Sequence, residues 1–235
     1  MLTTGGPPDP LVASPTVSGL LVSFEGIDRA GKTTQAALLC EAFGERALAV
    51  REPGGTPVGE RVRELLKDPH AEISDRTEAL LFAAARAELV ARVIRPALDQ
   101  GRVVVCDRFL DSSLAYQGGG RGLGVEEVER VNAWATGGLL PDLTILLAMS
   151  TEDAAGRSGE DDRFESEGAD LQQLVLETYE ALAAADPRRW RQVPADRAAP
   201  EVAADVLGLV EHALAVRDRA PSPEGARSAG EGAHA

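Results

Sequence analysis

Four short apolar runs punctuate the chain without polar alternation: Leu20–Phe24, Ala47–Val50, Arg102–Cys106 and Leu143–Ala148, with a weaker fifth at Trp190–Val193. Their near-continuous Val/Leu/Ile character predicts strands covered on both faces. Helical patterns fill the intervals at Thr33–Phe43, Val58–Leu66, Arg76–Gln100, Val125–Thr136, Asp170–Ala185 and Pro200–Ala215. Strand and helix alternate along the chain. That alternation predicts an α/β fold, a parallel sheet of about five strands with helices on both faces. No internal repeat is present.

A chain of 235 residues, 44% hydrophobic and 26% charged, suits one globular α/β core. No apolar run is long enough for a membrane span. Residues 1–18 read as a loose polar leader without the features of a signal peptide. Residues 218–235, rich in Gly, Ser, Ala and Pro, read as a disordered tail. The domain is expected over 19–217, with a short lid at about 156–168.

The formal charge is −14, from 24 Lys+Arg against 38 Asp+Glu. That excludes a general partner among nucleic-acid polymers, which require a basic face, but not a small anionic ligand met by local arginines. Lys32 and Lys67 are the lysines of the chain; every other basic residue of this pair of types is Arg. Cys40 and Cys106 lie in apolar surroundings and read as buried thiols in a reducing compartment, hence a cytoplasmic protein. His70, His212 and His234 are scattered and form no metal-ligand spacing.

The strongest chemical signal follows the first strand. Gly26-Ile27-Asp28-Arg29-Ala30-Gly31-Lys32-Thr33 is G-x-x-x-x-G-K-T between a strand and an amphipathic helix, with Thr34 opening the helix behind it. Glycines there let backbone N–H groups wrap a polyphosphate, Lys32 reaches its terminal phosphates, and Thr33 can hold Mg²⁺. At the end of the third strand, Asp107-Arg108 emerges at the crevice edge, where the carboxylate can hold Mg²⁺ and Arg108 a second phosphate. Arg51-Glu52-Pro53-Gly54-Gly55 is either a fixed turn or part of that same edge. Phe82 and Arg86 share a helix face, suiting either a stacked base or a core Phe with a snorkelling Arg. Asp111–Gly122, with Ser113, Tyr116, Gln117 and three consecutive glycines, reads as a polar, flexible pocket wall. Arg157–Glu165 reads as a closing lid or a solvated loop.

In this order the pieces resemble the thymidylate kinase family of nucleoside monophosphate kinases, over Leu20 to Leu214. REPGGTPVGERVRELL, ALLFAAARAEL, DRFLDSSLAYQGGGRG and PDLTILL carry the likeness beyond P-loop proteins in general. The resemblance implies phosphorylation of thymidine monophosphate by ATP with Mg²⁺, by a homodimer. It implies ATP on the loop Gly26–Thr34, with Arg157 against adenine and Arg163 reaching the phosphates. Mg²⁺ would lie by Thr33, Asp107 and Glu52. Thymine would stack on Phe82, with Arg86 and Ser113 on its polar edge, Tyr116 and Gln117 bordering the deoxyribose, and Pro53 also in the acceptor pocket. Arg108 and Arg51 would hold the acceptor phosphate, and Asp28 would face the 3′-hydroxyl. The catalytic set so implied is Lys32, Arg29, Arg108 and Asp28. One departure bears on mechanism. Ser158–Asp162 is short and acidic, so the charge-neutralising arginine is assigned to Arg29 in the loop. A GTPase-like switch is disfavoured, because no N-K-x-D sequence occurs. A kinase of another acceptor, or a non-catalytic nucleotide-binding module, stays open at this point.

Overall fold

A computed structural model describes residues 19–157 and 168–219. The expected leader, nearly all of the expected lid (Arg163 with it) and most of the expected tail lie outside the described residues. Five strands form one parallel sheet among the described residues: β1 (Leu20–Glu25), β2 (Ala47–Arg51), β3 (Val103–Asp107), β4 (Leu143–Ala148) and β5 (Trp190–Pro194). Their order is β2-β3-β1-β4-β5, so β1 is central. Leu20 pairs with Val103 on one side, and Val22 with Leu143 on the other.

The period of two along a strand sorts these residues into two cores. Leu20, Val22 and Phe24 of β1 join Val103 and Val105 of β3 on one face. There they pack against α1 (Lys32–Phe43), α8 (Ala169–Ala185) and α9 (Ala199–Arg219) through Leu39, Val175, Tyr179, Val202, Val206 and Val210. Leu21, Val104 and Cys106 point the other way. They meet Leu89 of α3 (Asp75–Leu89), Leu98 of α4 (Arg95–Asp99) and Val128 of α6 (Val125–Thr136). A π-helical turn, Val90–Ile94, joins α3 to α4, so the single helix expected over Arg76–Gln100 is continuous but wound differently in its middle. Helix α2 (Pro57–Lys67) begins sharply. Thr56 Oγ1 accepts from Gly59 N at 2.9 Å and Pro57 occupies the first turn, a cap whose loss costs about 1 kcal/mol.

Two elements were not expected from the pattern. Leu110–Ser113 forms a short helix, α5, that continues as a π-helical stretch over Leu114–Gly120. Thr151–Ala155 forms α7, capped by Ser150. The glycines 118–120 therefore do not make a flexible wall. A Cβ on Gly119 would lie 2.0 Å from Thr178 Oγ1, and one on Gly120 would lie 2.7 Å from Leu171 Cδ1. Glycine is required because α8 packs directly on this stretch.

Candidate active site

The loop between β1 and α1 is built around left-handed backbone. Gly26, Arg29 and Gly31 have φ of 139°, 65° and 96°. Arg29 is the residue there that a glycine would replace with less strain. Lys32 is 6% exposed and folds back on its own loop, donating to Gly26 O at 3.1 Å and Ile27 O at 2.7 Å. Burial, with help from Arg108, pushes the Lys32 ammonium down to about 8, against the pull of Asp28, Asp107 and Glu25. Ile27 and Ala30 turn their side chains into the core, so what they can offer a phosphate is backbone alone. Thr33 Oγ1 donates to Asp107 Oδ2 at 2.5 Å. This oxygen-only pair suits a hard divalent cation, with remaining positions for phosphate and water oxygens.

Arg108 is the hub. It too has positive φ, 70°, and that strained turn is pinned from both sides. Its own N–H donates to Phe24 O at 3.1 Å, and the next N–H, of Phe109, donates to Glu25 Oε1 at 2.8 Å. The guanidinium pairs with Asp28 at 2.5 Å, reaches Gly26 O, and lies over the Tyr116 ring at 4.9 Å. Burial works against ionised Asp28, but Arg108, Lys32, Gln172 and Tyr116 outweigh it and hold the carboxyl below its usual range. Glu25 beneath them is fully buried and accepts from Ser112 Oγ at 2.6 Å and Tyr179 OH at 2.9 Å. Burial and nearby Asp111 push its carboxyl up to about 7, against Ser112, Arg108 and the Phe109 N–H.

Arg29 and Arg157 clasp each other by the main chain. Arg29 Nη1 donates to Arg157 O at 3.2 Å, Arg157 Nη1 to Arg29 O at 3.4 Å, and Arg157 Nη2 to Ala195 O at 2.7 Å. On the opposite side of the cavity, Arg86 is 1% exposed and heavily committed. Its Nε and Nη2 meet Glu52, Nη1 meets Ser113 Oγ at 3.1 Å and Asn132 Oδ1, and Nη2 meets Phe109 O. Glu52 is buried as the counter-ion of Arg86 at 2.6 Å, its own N–H donates to Asp107 O at 3.0 Å, and it lines the same cavity as Thr33 and Asp107. Arg51 leaves β2 exposed and pairs with Glu60 at 3.0 Å.

One cavity of about 580 Å³ unites these groups. The loop residues Asp28, Arg29, Gly31, Lys32, Thr33 and Thr34 line it together with Asp107, Arg108 and Arg157. So do Arg51, Glu52, Pro53, Phe82, Arg86, Ser113, Tyr116 and Gln117. Gly26, Ile27 and Ala30 do not line it. Eight basic side chains and three acidic ones face the space, both lysines among them. A chain of charge −14 thus concentrates its cations at one crevice, which focuses field there and favours anions. Sequence reasoning missed Gln172 and Tyr179 of α8, Glu25, and Asn132. Gln172 Nε2 donates to Asp28 Oδ2 at 2.8 Å. Its spacing of seven from Tyr179, which puts both on one helix face, is the signal that could have found them.

The family description "Thymidylate kinase" matches residues 24–206, more than half of the chain. The thymidylate kinase of Symbiobacterium thermophilum is 50% identical over 206 residues, covering 85% of this chain and 96% of that protein. That of Desulforudis audaxviator is 49% identical, over 84% of this chain and 93% of its own. That of Bifidobacterium longum strain DJO10A is 49% identical over 77% and 92%. With a family match over residues 24–206 and identities of 49–50% over most of the chain, the chain belongs to the thymidylate kinase family.

Proposed function

We propose that this enzyme transfers the γ-phosphoryl group of ATP to the phosphate of thymidine monophosphate, giving the diphosphate and ADP for synthesis of thymidine triphosphate. The observation that carries the reading is the continuity of one cavity. It runs from Lys32, through the Asp28–Arg108 pair, to the Phe82 ring and Gln117. A donor phosphate site and an aromatic-walled acceptor site meet there at a single arginine.

In this reading ATP lies on the loop, with its phosphates at Lys32 and Thr33 and Arg157 beside its base. The acceptor stacks on Phe82. A base carbonyl shares the Arg86 Nη1 donor with Ser113, and Arg108 with Arg51 takes the acceptor phosphate. Asp28, oriented by Arg108, Tyr116 and Gln172, faces the sugar hydroxyl. An oxygen of the acceptor phosphate attacks the γ-phosphorus. The bond from that phosphorus to the β,γ-bridging oxygen breaks, and ADP leaves with the electron pair. The attacking oxygen is already anionic, so positioning and charge neutralisation by Lys32, Arg29 and Arg108 do the work. Mg²⁺, held by Thr33 and Asp107, would neutralise charge on the β- and γ-phosphates.

The test is ADP release coupled to a reporter, with ATP, Mg²⁺ and each common monophosphate or thymidine in turn. A clear kcat/KM preference for thymidine monophosphate is expected. Preference for another acceptor, or nucleotide binding without turnover, would overturn it. The free cysteines Cys40 and Cys106 support a cytoplasmic setting. No described helix is long and apolar enough to cross a membrane.

A second copy of the chain is the partner that fits the exposed apolar residues of three neighbouring helices. Leu65 of α2, Leu80 of α3 and Trp134 of α6 are 46%, 57% and 87% exposed. Light scattering should give a dimer mass, and Trp134→Glu should shift it toward the monomer.

A further inference from the structure

The acceptor side of the cavity is walled by two helical faces. Glu78, Phe82 and Arg86 follow each other at intervals of four along α3, and Ser113 and Gln117 do so along α5 and its π-helical continuation. The faces are joined by two cross-links that flank Phe82. Arg86 donates to Ser113, and Gln117 Nε2 donates to Glu78 Oε1 at 2.9 Å. A base stacked on Phe82 therefore lies between the two links.

Glu78 is 1% exposed, deeper than a surface carboxylate has reason to be. Arg121 holds it from behind, with Nε 3.2 Å from Oε1 and Nη2 3.1 Å from Oε2. A carboxylate so clamped only accepts hydrogen bonds. The Gln117 amide must turn its NH₂ group toward it and cannot flip. Gln117 is itself 2% exposed. Gln117 lines the cavity, and with its NH₂ turned to Glu78 its Oε1 is the amide atom left to meet a ligand there.

We infer that Glu78 is a positioning residue that locks the Gln117 carboxamide with its oxygen toward the base, and thereby sets discrimination between an N3–H base and one with a bare N3. Thymine offers a carbonyl at C4 and an N–H at N3. Cytosine offers an amino group and a lone pair, the reverse at both positions. With the amide locked, cytosine sets its N3 lone pair against the Gln117 oxygen, and a buried acceptor facing an acceptor is strongly disfavoured. With the amide free to rotate, its NH₂ can serve cytosine.

The inference rests on the acceptor reading above. The experiment measures kcat/KM of the purified full chain for thymidine, deoxyuridine and deoxycytidine monophosphates, for wild type, Glu78→Gln, Glu78→Asp and Gln117→Leu. Glu78→Gln should reduce the thymine-over-cytosine ratio by about tenfold or more, through KM, as expected for a hydrogen-bond mismatch. The thymine-over-uracil ratio should stay within about twofold, since uracil keeps N3–H, whereas general loosening of the pocket would move both ratios. Glu78→Asp should restore part of the lost preference. Gln117→Leu should abolish the N3 discrimination by a route that does not depend on how Glu78→Gln folds. An unchanged thymine-over-cytosine ratio in either folded variant overturns the inference alone. A wild type without turnover of thymidine monophosphate overturns the functional reading and this inference with it.

Discussion

Arg29 sits at φ 65°, where a side chain costs about 1 kcal/mol relative to glycine, yet an arginine is kept. A charged side chain on a strained backbone beside the Lys32 loop is what a transition-state contact needs, since phosphoryl transfer spreads charge over the moving group. Replacing Arg29 by Gly should therefore separate chemistry from folding. The expected result is a kcat at least about 100-fold lower with both KM values little changed, the pattern of a contact made in the transition state. Thermal unfolding should be no earlier than for Arg29→Ala, because Gly relieves the strain that Ala retains. A kcat loss below about tenfold would move the catalytic charge elsewhere.

Lys32 makes a second residue-scale prediction. Its ammonium, held near 8 by burial, is partly neutral at pH 8, and the negative phosphates of ATP draw it back to the charged form. ATP binding at pH 8 to 9 should take up protons, and the uptake should fade at pH 6.5, where Lys32 is already charged. Calorimetry in buffers of different ionisation heat measures this. Uptake that persists in Lys32→Met would assign it to another group.

Among the elements, the strands and most helices were legible, and the reason is periodic burial. Leu143–Ala148 and Val125–Thr136 have the bounds that their patterns predicted, and the remaining strands differ at their ends by a residue or so. Gly118–Gly120 was not legible. Three glycines in a row signal freedom in a local reading, whereas here Gly119 and Gly120 let the π-helical stretch lie against Leu171, Val175 and Thr178 of α8, and Gly118 lies against Val125. The same close approach delivers Tyr179 and Gln172, which no motif marks, to the Arg108 hub. The pairing of Glu52 with Arg86 was not legible either, because the arginine that holds it comes from a helix distant in sequence. Gly119→Ala should test the helix contact. A methyl forced against Thr178 costs about 1–3 kcal/mol of stability. By displacing α8 from Asp28 it should also raise the acceptor KM more than the ATP KM. Equal change in both would show that α8 acts on the fold alone.

At the scale of the whole molecule, Glu25 couples stability to pH. Its carboxyl titrates near 7 when folded and near 4.5 when unfolded, so between those values the folded state binds more protons. Stability carried by this group is therefore highest below about pH 4.5 and declines as pH rises through 7. Asp28, held low by Arg108, acts in the opposite sense and favours the folded state above its unfolded value. Glu25→Gln should flatten the change in melting temperature between pH 5.5 and 7.5 relative to wild type, whatever its effect at a single pH. An unaltered pH dependence would show that Glu25 does not titrate there.

The central position of β1 has a consequence for how the chain comes into being. Its first neighbour in the sheet, β3, begins at Val103, and its other neighbour, β4, begins at Leu143. Parallel partners so distant in sequence must wait for long loops to close, which slows folding. During synthesis the phosphate loop is made before β3, and the strand that presents it has no sheet partner until Val103, 78 residues after Glu25, has followed. Arg108, Asp107 and the backbone hydrogen bonds that pin the hub arrive with that partner. A nascent chain stopped before Val103 should leave an apolar strand bare and hold no nucleotide, a stretch of its life in which a chaperone has more to grip than ATP does.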